Sequence, residues 1–277
     1  MLRSRLYVAG LFVAAAACSS ADTTSSSIAS DATITADVAA AAADGAAEDV
    51  DMYIGMDGSV SSSFASGFSG QSFFANPPGD WRPGLTGCTF AGGAFTCPST
   101  NHNGLAVVRT IVFLDAAGAT ELTFDALLTA SIHVVADVSG DRTHGPWSAT
   151  VARHRDFTIS GLAGTETSRT VNGTGSETVS SSRVAGSSET RSYTLTGSST
   201  ATNVVMPVRS SDGGNTWPTS GTVTRTFTVT VTSGPNIGKT TTRTVTITFN
   251  GTSTPTGTVN GTPFTIDLTG HTATPRG

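Results

Sequence analysis

The sequence predicts an all-β chain: an antiparallel meander of about eight to ten long, threonine-rich strands with one short N-terminal helix. The sheet so formed is a twisted sheet, a sandwich or a partly closed barrel. Three observations carry this. Gly221–Phe249 alternates without a fault, with Thr at every even position from Thr222 to Thr232 and again from Thr240 to Thr248. The odd positions are Val223, Arg225, Phe227, Val229, Val231 and then Arg243, Val245, Ile247, Phe249. Side chains on a strand point to opposite faces in turn, so this period of two gives one apolar face and one threonine face. Second, an Arg-x-apolar-Thr-apolar-[Ser/Thr] pattern starts at Arg155, Arg191, Arg225 and Arg243. Its spacing fits a strand plus a turn repeated along a meander. Third, charged residues are only 13% of the 277, and Thr, Ser, Gly and Ala dominate. That is the composition of an exported β-protein.

The N-terminus is read first as an export signal over residues 1–17. Arg3 and Arg5 precede the apolar run Leu6–Ala17, which is too short to span a bilayer. It ends Ala15-Ala16-Ala17-Cys18-Ser19-Ser20. This segment resembles the lipobox of bacterial lipoproteins, although Ala15 stands where most carry Leu. The resemblance covers about twenty residues and implies diacylation of Cys18 as the mature N-terminus. It implies an exported, membrane-anchored chain on the periplasmic or cell-surface side. Ser19 after the cysteine favours the outer membrane. A third cysteine beside Cys88 and Cys97 fits that role, because an exported chain with three thiols otherwise leaves one unpaired.

Residues 18–56 form an acidic tether and possible helix. From Cys18 to Asp57 there are eight acids and no base. The alanine run between Asp31 and about Gly55 favours helix, with Asp31 as N-cap and Gly45 as a weak point. Its acids are expected to face water. Residues 57–104 are a Gly/Ser/Phe loop with a disulfide hairpin, the loop carrying Phe64, Phe68, Phe73, Phe74 and Trp81 over an apolar edge. The hairpin is Cys88-Thr-Phe-Ala-Gly-Gly-Ala-Phe-Thr-Cys97, which reads alike in both directions. A primed turn at Gly92-Gly93 pairs Phe90 with Phe95 and brings Cys88 opposite Cys97, close enough to bond.

Residues 105–277 form the antiparallel β-domain. Leu105–Asp115 is a nearly continuous apolar run and is expected to be buried on both faces. Ile132, Val134, Ala136 and Val138 line the next strand, and Trp147, Ala149, Val151, Phe157 and Ile159 the one after, shared with Arg153 and Arg155. Asn172-Gly173 reads as a turn or bulge. Asn250-Gly251 and Asn260-Gly261 read as two-residue turns, whose phases conflict and call for a bulge near Pro255 or Gly257 or for a sheet buried on both faces there. To keep Val231 and Val245 on one face, the connection between their strands must hold an odd number of residues.

Signals for chemistry are sparse. Removing the signal leaves thirteen bases against twenty acids, a formal charge of −7. No cluster of Lys and Arg could neutralise a run of phosphates, which argues against nucleic acid. Gly234–Thr240 is one residue short of a phosphate-binding loop and leads into a strand, so no nucleotide is expected. Placing Val138 opposite Trp147 brings His133 and His154 near each other on a polar face with Asp137 and Asp156. Such a set could bind a metal or act as acid and base, but a solvated polar face is the favoured reading, and no catalytic, cofactor-binding or metal residue is assigned. The arginines on the apolar side are expected at its edge with their heads in water; the alternative is a ladder for glycans. The sequence therefore points to a lipid-anchored envelope protein, a non-enzymatic binding or scaffolding module. Its partners are the membrane and an envelope protein or glycan.

Overall fold

The computed structural model describes residues 31–63, 88–102, 104–125, 127–144, 147–163, 166–185, 189–208, 217–233 and 236–276. The signal, Cys18, the tether and the aromatics from Phe64 to Trp81 lie outside the described residues. The chain forms one helix, α1 (Asp31–Ser63), and then β1 (Thr89–Ala91), β2 (Ala94–His102), β3 (Leu105–Asp115), β4 (Thr120–Glu121), β5 (Thr129–His144), β6 (Trp147–Ser160) and β7 (Ser168–Ala185). It continues as β8 (Glu189–Pro207), β9 (Ser220–Val231), β10 (Thr240–Thr248), β11 (Thr256–Val259), β12 (Thr262–Asp267) and β13 (Thr272–Pro275). These thirteen strands, more than expected, make one antiparallel sheet in chain order, with only the short β4 off the path, beside β3. The sheet is an open, twisted meander.

The alternation places the residues as the pattern demands. Val223, Phe227, Val229, Val231, Val245 and Ile247 are buried, and odd pairs with odd, Ile247 opposite Val223. Nine residues lie between the paired Thr230 and Thr240, an odd number as required. Asn260-Gly261 is a two-residue turn with φ of 47° and 85°, as a primed turn needs. The β7–β8 register shifts at Asn172, but the extra residue is on β8: Thr202 and Asn203, the latter with φ 46°, stand opposite Asn172. Asn250-Gly251 is not a two-residue turn. Thr248 pairs with Thr256, and the intervening loop is held by Asn250 Oδ1, which accepts from the Thr252 N–H and hydroxyl. This longer loop brings Val245 opposite Val259 and removes the phase conflict without a bulge.

The disulfide hairpin joins the sheet through β2, at the edge beside β3. Cys88 and Cys97 are bonded with Cα atoms 4.0 Å apart. Gly92 and Gly93 have φ of 62° and 84°, and the Phe90 and Phe95 rings stack at 4.8 Å. Phe95 continues to Phe113 and Phe113 to Phe124, so the bond and the rings close that end of the core. β3 departs from expectation: it alternates instead of being buried on both faces, leaving Val108 exposed and turning Arg109 inward. Its apolar run is wide because half-exposed Val is well tolerated on a pleated surface.

α1 begins at Asp31, as the alanine run predicts, and the larger departure is its placement: it lies against the inward face of the sheet. Ile34, Val38, Ala39, Ala42, Ala43, Ala46, Ala47, Val50, Met52 and Tyr53 are buried, while Ala36, Ala40, Ala41 and Asp44 stay partly covered, so the stretch 45–50 is enclosed all round and the first half keeps one open stripe. Alanine makes this possible, because a thin helix fits where side chains from facing strands already fill the space. The acids expected to face water are inside: Asp37, Glu48 and Asp49 are buried.

Candidate functional site

The inward face of the sheet carries a system of arginines matched to the acids of α1. The repeat places Arg155, Arg225 and Arg243 on the same side as the Val, Ile and Phe residues, and that side faces the helix. Arg153, Arg155, Arg225 and Arg243 are buried, Arg225 completely. They are not edge residues with heads in water, and no arginine ladder is offered to a glycan. Burial is tolerated because each guanidinium has a carboxylate.

From one end to the other, Asp31 accepts from Arg243, and Asp37 accepts from Arg183 at 2.7 Å and from the Tyr193 hydroxyl at 3.0 Å. Asp44 meets Arg142 at 3.3 Å, Arg153 at 3.4 Å and His271 Nδ1 at 3.1 Å. Glu48 lies against Arg142 and Arg153, and Asp49 bridges Arg155 at 2.8 Å and Arg225. Glu177, from β7, is the sheet's own acid in this system. It accepts from Arg153 Nε at 3.1 Å, Arg155 Nη2 at 3.2 Å and Arg225 Nη1. Burial works against the charge of Glu177, but Arg225 and Arg155 outweigh it and hold the carboxyl below its ordinary range. Arg155 is likewise held above its ordinary value: burial opposes, and Asp49 and Glu177 prevail. Burial, then Asp49, pushes the Tyr53 hydroxyl up.

Two glycines make room. A Cβ on Gly45 of α1 would lie 2.9 Å from Arg225 Nη1 and 3.1 Å from its Cζ, so the guanidinium rests directly on helix backbone. A Cβ on Gly175 would meet the Arg155 guanidinium at 2.9 Å and the His154 carbonyl at 2.6 Å. Arg109 of β3 also turns inward, away from the acids of α1. It is 3% exposed, and the partner that its side chain finds among the described residues is the Thr100 hydroxyl at 3.4 Å. Burial without a carboxylate lowers its pKa to about 10.

The His133/His154 set is not assembled. β5 and β6 continue past Gly140 to His144 and Trp147, so Val138 pairs with Arg153 rather than with Trp147. That shift makes two separate pairs on the outer face: His133 Nε2 to Asp156 at 2.7 Å, and His154 Nδ1 to Asp137 at 2.8 Å. Gly140 does not interrupt β5; it adopts φ 146° within the strand, packed against Gly104 and Leu105. No group of three or more His, Cys, Asp and Glu converges in a metal-binding arrangement among the described residues.

The outer face is a field of hydroxyls in register. One row runs Asp156, Thr174, Thr200, Thr224, Thr246, Thr258 across β6–β11, and the next runs His154, Ser176, Ser198, Thr226, Thr244. Neighbouring hydroxyls touch, as at Thr226–Thr244 (3.4 Å).

The sequence signal for the buried network was present but split. Arginines recurred at constant phase on apolar strand faces, and the acids lay in a base-free segment more than ninety residues upstream of most of them. No family model matches the chain, and neither a curated protein nor a solved structure resembles it.

Proposed function

We propose that the chain is exported, lipidated at Cys18 and held at the outer membrane as a non-enzymatic binding or scaffolding module. The observation that carries this reading is the division of the sheet into two faces. The inward face is filled by the chain's own helix, and most of its arginines are matched to carboxylates. The outward face offers Ser and Thr rows over five strands, β7–β11, to whatever the protein meets. The Cys88–Cys97 bond supports an oxidising compartment. Twelve residues separate Cys18 from Asp31, which reach about 40 Å when extended and let the body stand off a lipid surface.

Membrane fractionation and intact mass test the anchor. Wild-type chain is expected in the membrane fraction with the mass of an acylated cysteine, and Cys18→Ser is expected in the soluble fraction. Recovery of wild-type chain as a soluble, unacylated protein would refute the reading.

A second reading, glycan binding, is favoured by the hydroxyl rows ending at His154 and Asp156, a hydrogen-bonding face of the kind that sugars meet. Affinity electrophoresis in gels cast with envelope polysaccharide should retard the wild-type chain. Ser198→Val with Thr226→Val and Thr244→Val should restore its mobility; equal mobility of both in all gels removes this reading.

A further inference from the structure

A cavity of about 360 Å³ lies between the first half of α1 and the strands around it, within the size range of small-molecule sites. Ala36, Ala40 and Ala41 of α1 form one wall, and Ala149 of β6, Val179 of β7 and Ala273 of β13 form the others. Arg142, Arg153 and Arg183 also reach its lining, with His271 and the single carboxylate of Asp44. The alanines there are only partly covered, unlike Ala39, Ala42 and Ala43 on the same helix, which are fully packed.

Ser181 of β7 adds an independent sign. Its side chain turns inward with Val179 and lines this cavity, and the residue is 5% exposed. Its hydroxyl has no hydrogen-bond partner among the described residues. A buried hydroxyl without a partner is uncommon and costly in a folded chain. An acceptor entering the cavity would satisfy it.

We propose that this cavity binds a small amphiphile with a carboxylate head and an unbranched apolar body, the class of medium-chain fatty acids. The alanine, valine and proline walls supply an apolar channel without bulky side chains. A carboxylate is an acceptor only, so it takes the Ser181 hydroxyl as donor. The lining guanidiniums are already matched, Arg142 and Arg153 by Asp44 and Glu48 and Arg183 by Asp37, so the wall carries no net positive charge. The head is therefore selected by hydrogen bonding, as an acceptor for Ser181, rather than by an unpaired arginine. This site lies inside the fold, away from the outer hydroxyl face, and does not depend on the lipid anchor.

The test uses the full chain carrying Cys18→Ser, stripped of lipid and titrated by calorimetry with decanoate below its micelle concentration. One saturable site with a dissociation constant in about the micromolar range is expected. 1-Decanol should bind roughly tenfold more weakly, as should decanoate to Ser181→Ala. Ala40→Phe fills the channel from a half-exposed helix position and should abolish saturable binding, with a melt confirming that the variant is folded. Absence of saturable binding to the parent chain overturns the proposal. So does saturable binding to folded Ala40→Phe, so does unchanged affinity in Ser181→Ala, and so does decanol binding as tightly as decanoate.

Discussion

Glu177 receives three guanidiniums, from Arg153, Arg155 and Arg225, on two oxygens withdrawn from water. Removing one member of a buried ionic group costs more than forming it contributes, because the others stay buried without a partner; about 3–5 kcal/mol is typical. Glu177→Gln keeps the volume and loses the charge. It is expected to lower stability by about 3 kcal/mol, which for a chain of this size is a fall in Tm of roughly 6–12 °C. A differential scanning melt reads it. Gly45 is tested by competition between two effects. Gly→Ala inside a helix favours folding by up to about 1 kcal/mol, but here the new methyl lands on Arg225. We expect Gly45→Ala to lower Tm, and to raise it once Arg225→Met has removed the guanidinium. A rise in both backgrounds would mean that Arg225 does not rest on α1. Arg109 runs the other way. Its folded pKa is lowered, so its charge opposes folding below about pH 10, and this opposition fades as pH climbs from there towards its ordinary value. Arg109→Leu should therefore stabilise the chain at pH 7, read as a Tm higher by a few degrees.

Among the elements, the strands were legible, and α1 was legible as a helix from Asp31 but not in its placement. Strict alternation over Thr222–Thr232 and Thr240–Thr248 leaves one way to bury Val and Ile, so the phase and the odd-with-odd pairing followed from the residues alone. The cysteine palindrome was equally direct, because Gly-Gly at its centre fixes every pair outward to Cys88 and Cys97. The β5–β6 register was not legible, because glycine ordinarily interrupts a strand and Gly140 here continues it, paired with Val151. α1 was misread for a physical reason. Its acids signal solvent by every local rule, and only partners far along the chain reverse that. The nearest in sequence, Arg142 for Glu48, is 94 residues away. The candidate network was missed with it, because arginine on an apolar strand face is ordinarily a surface residue. The hairpin offers an element-level prediction. Closing so short a loop contributes about 2.5–3 kcal/mol in the chain-entropy model, and the hairpin stands at the sheet's edge. Replacing Cys88 and Cys97 together with Ser should speed amide exchange in β1 and β2 and leave β7–β9 unchanged. Equal acceleration in β7–β9 would show that the bond supports the sheet as one unit.

Taken together, the fold is a sheet assembled around an acidic helix, so charge pairing and core packing occupy the same space. Acid should undo it cooperatively. Glu177 has a folded pKa below its unfolded one, so its contribution is present above about pH 4.3 and is lost as pH falls through the lower folded value. Stability is expected to hold from pH 7 to about pH 5 and to drop below about pH 4. The helix should leave with the sheet rather than before it. Hydrogen exchange at pH 7 on residues 34–53 of α1 measures this most directly. If α1 is the interior of the sheet, its amides exchange as slowly as those of β7, β8 and β9. Exchange of α1 at the rate of a free alanine-rich peptide, with the strands still protected, would contradict the account.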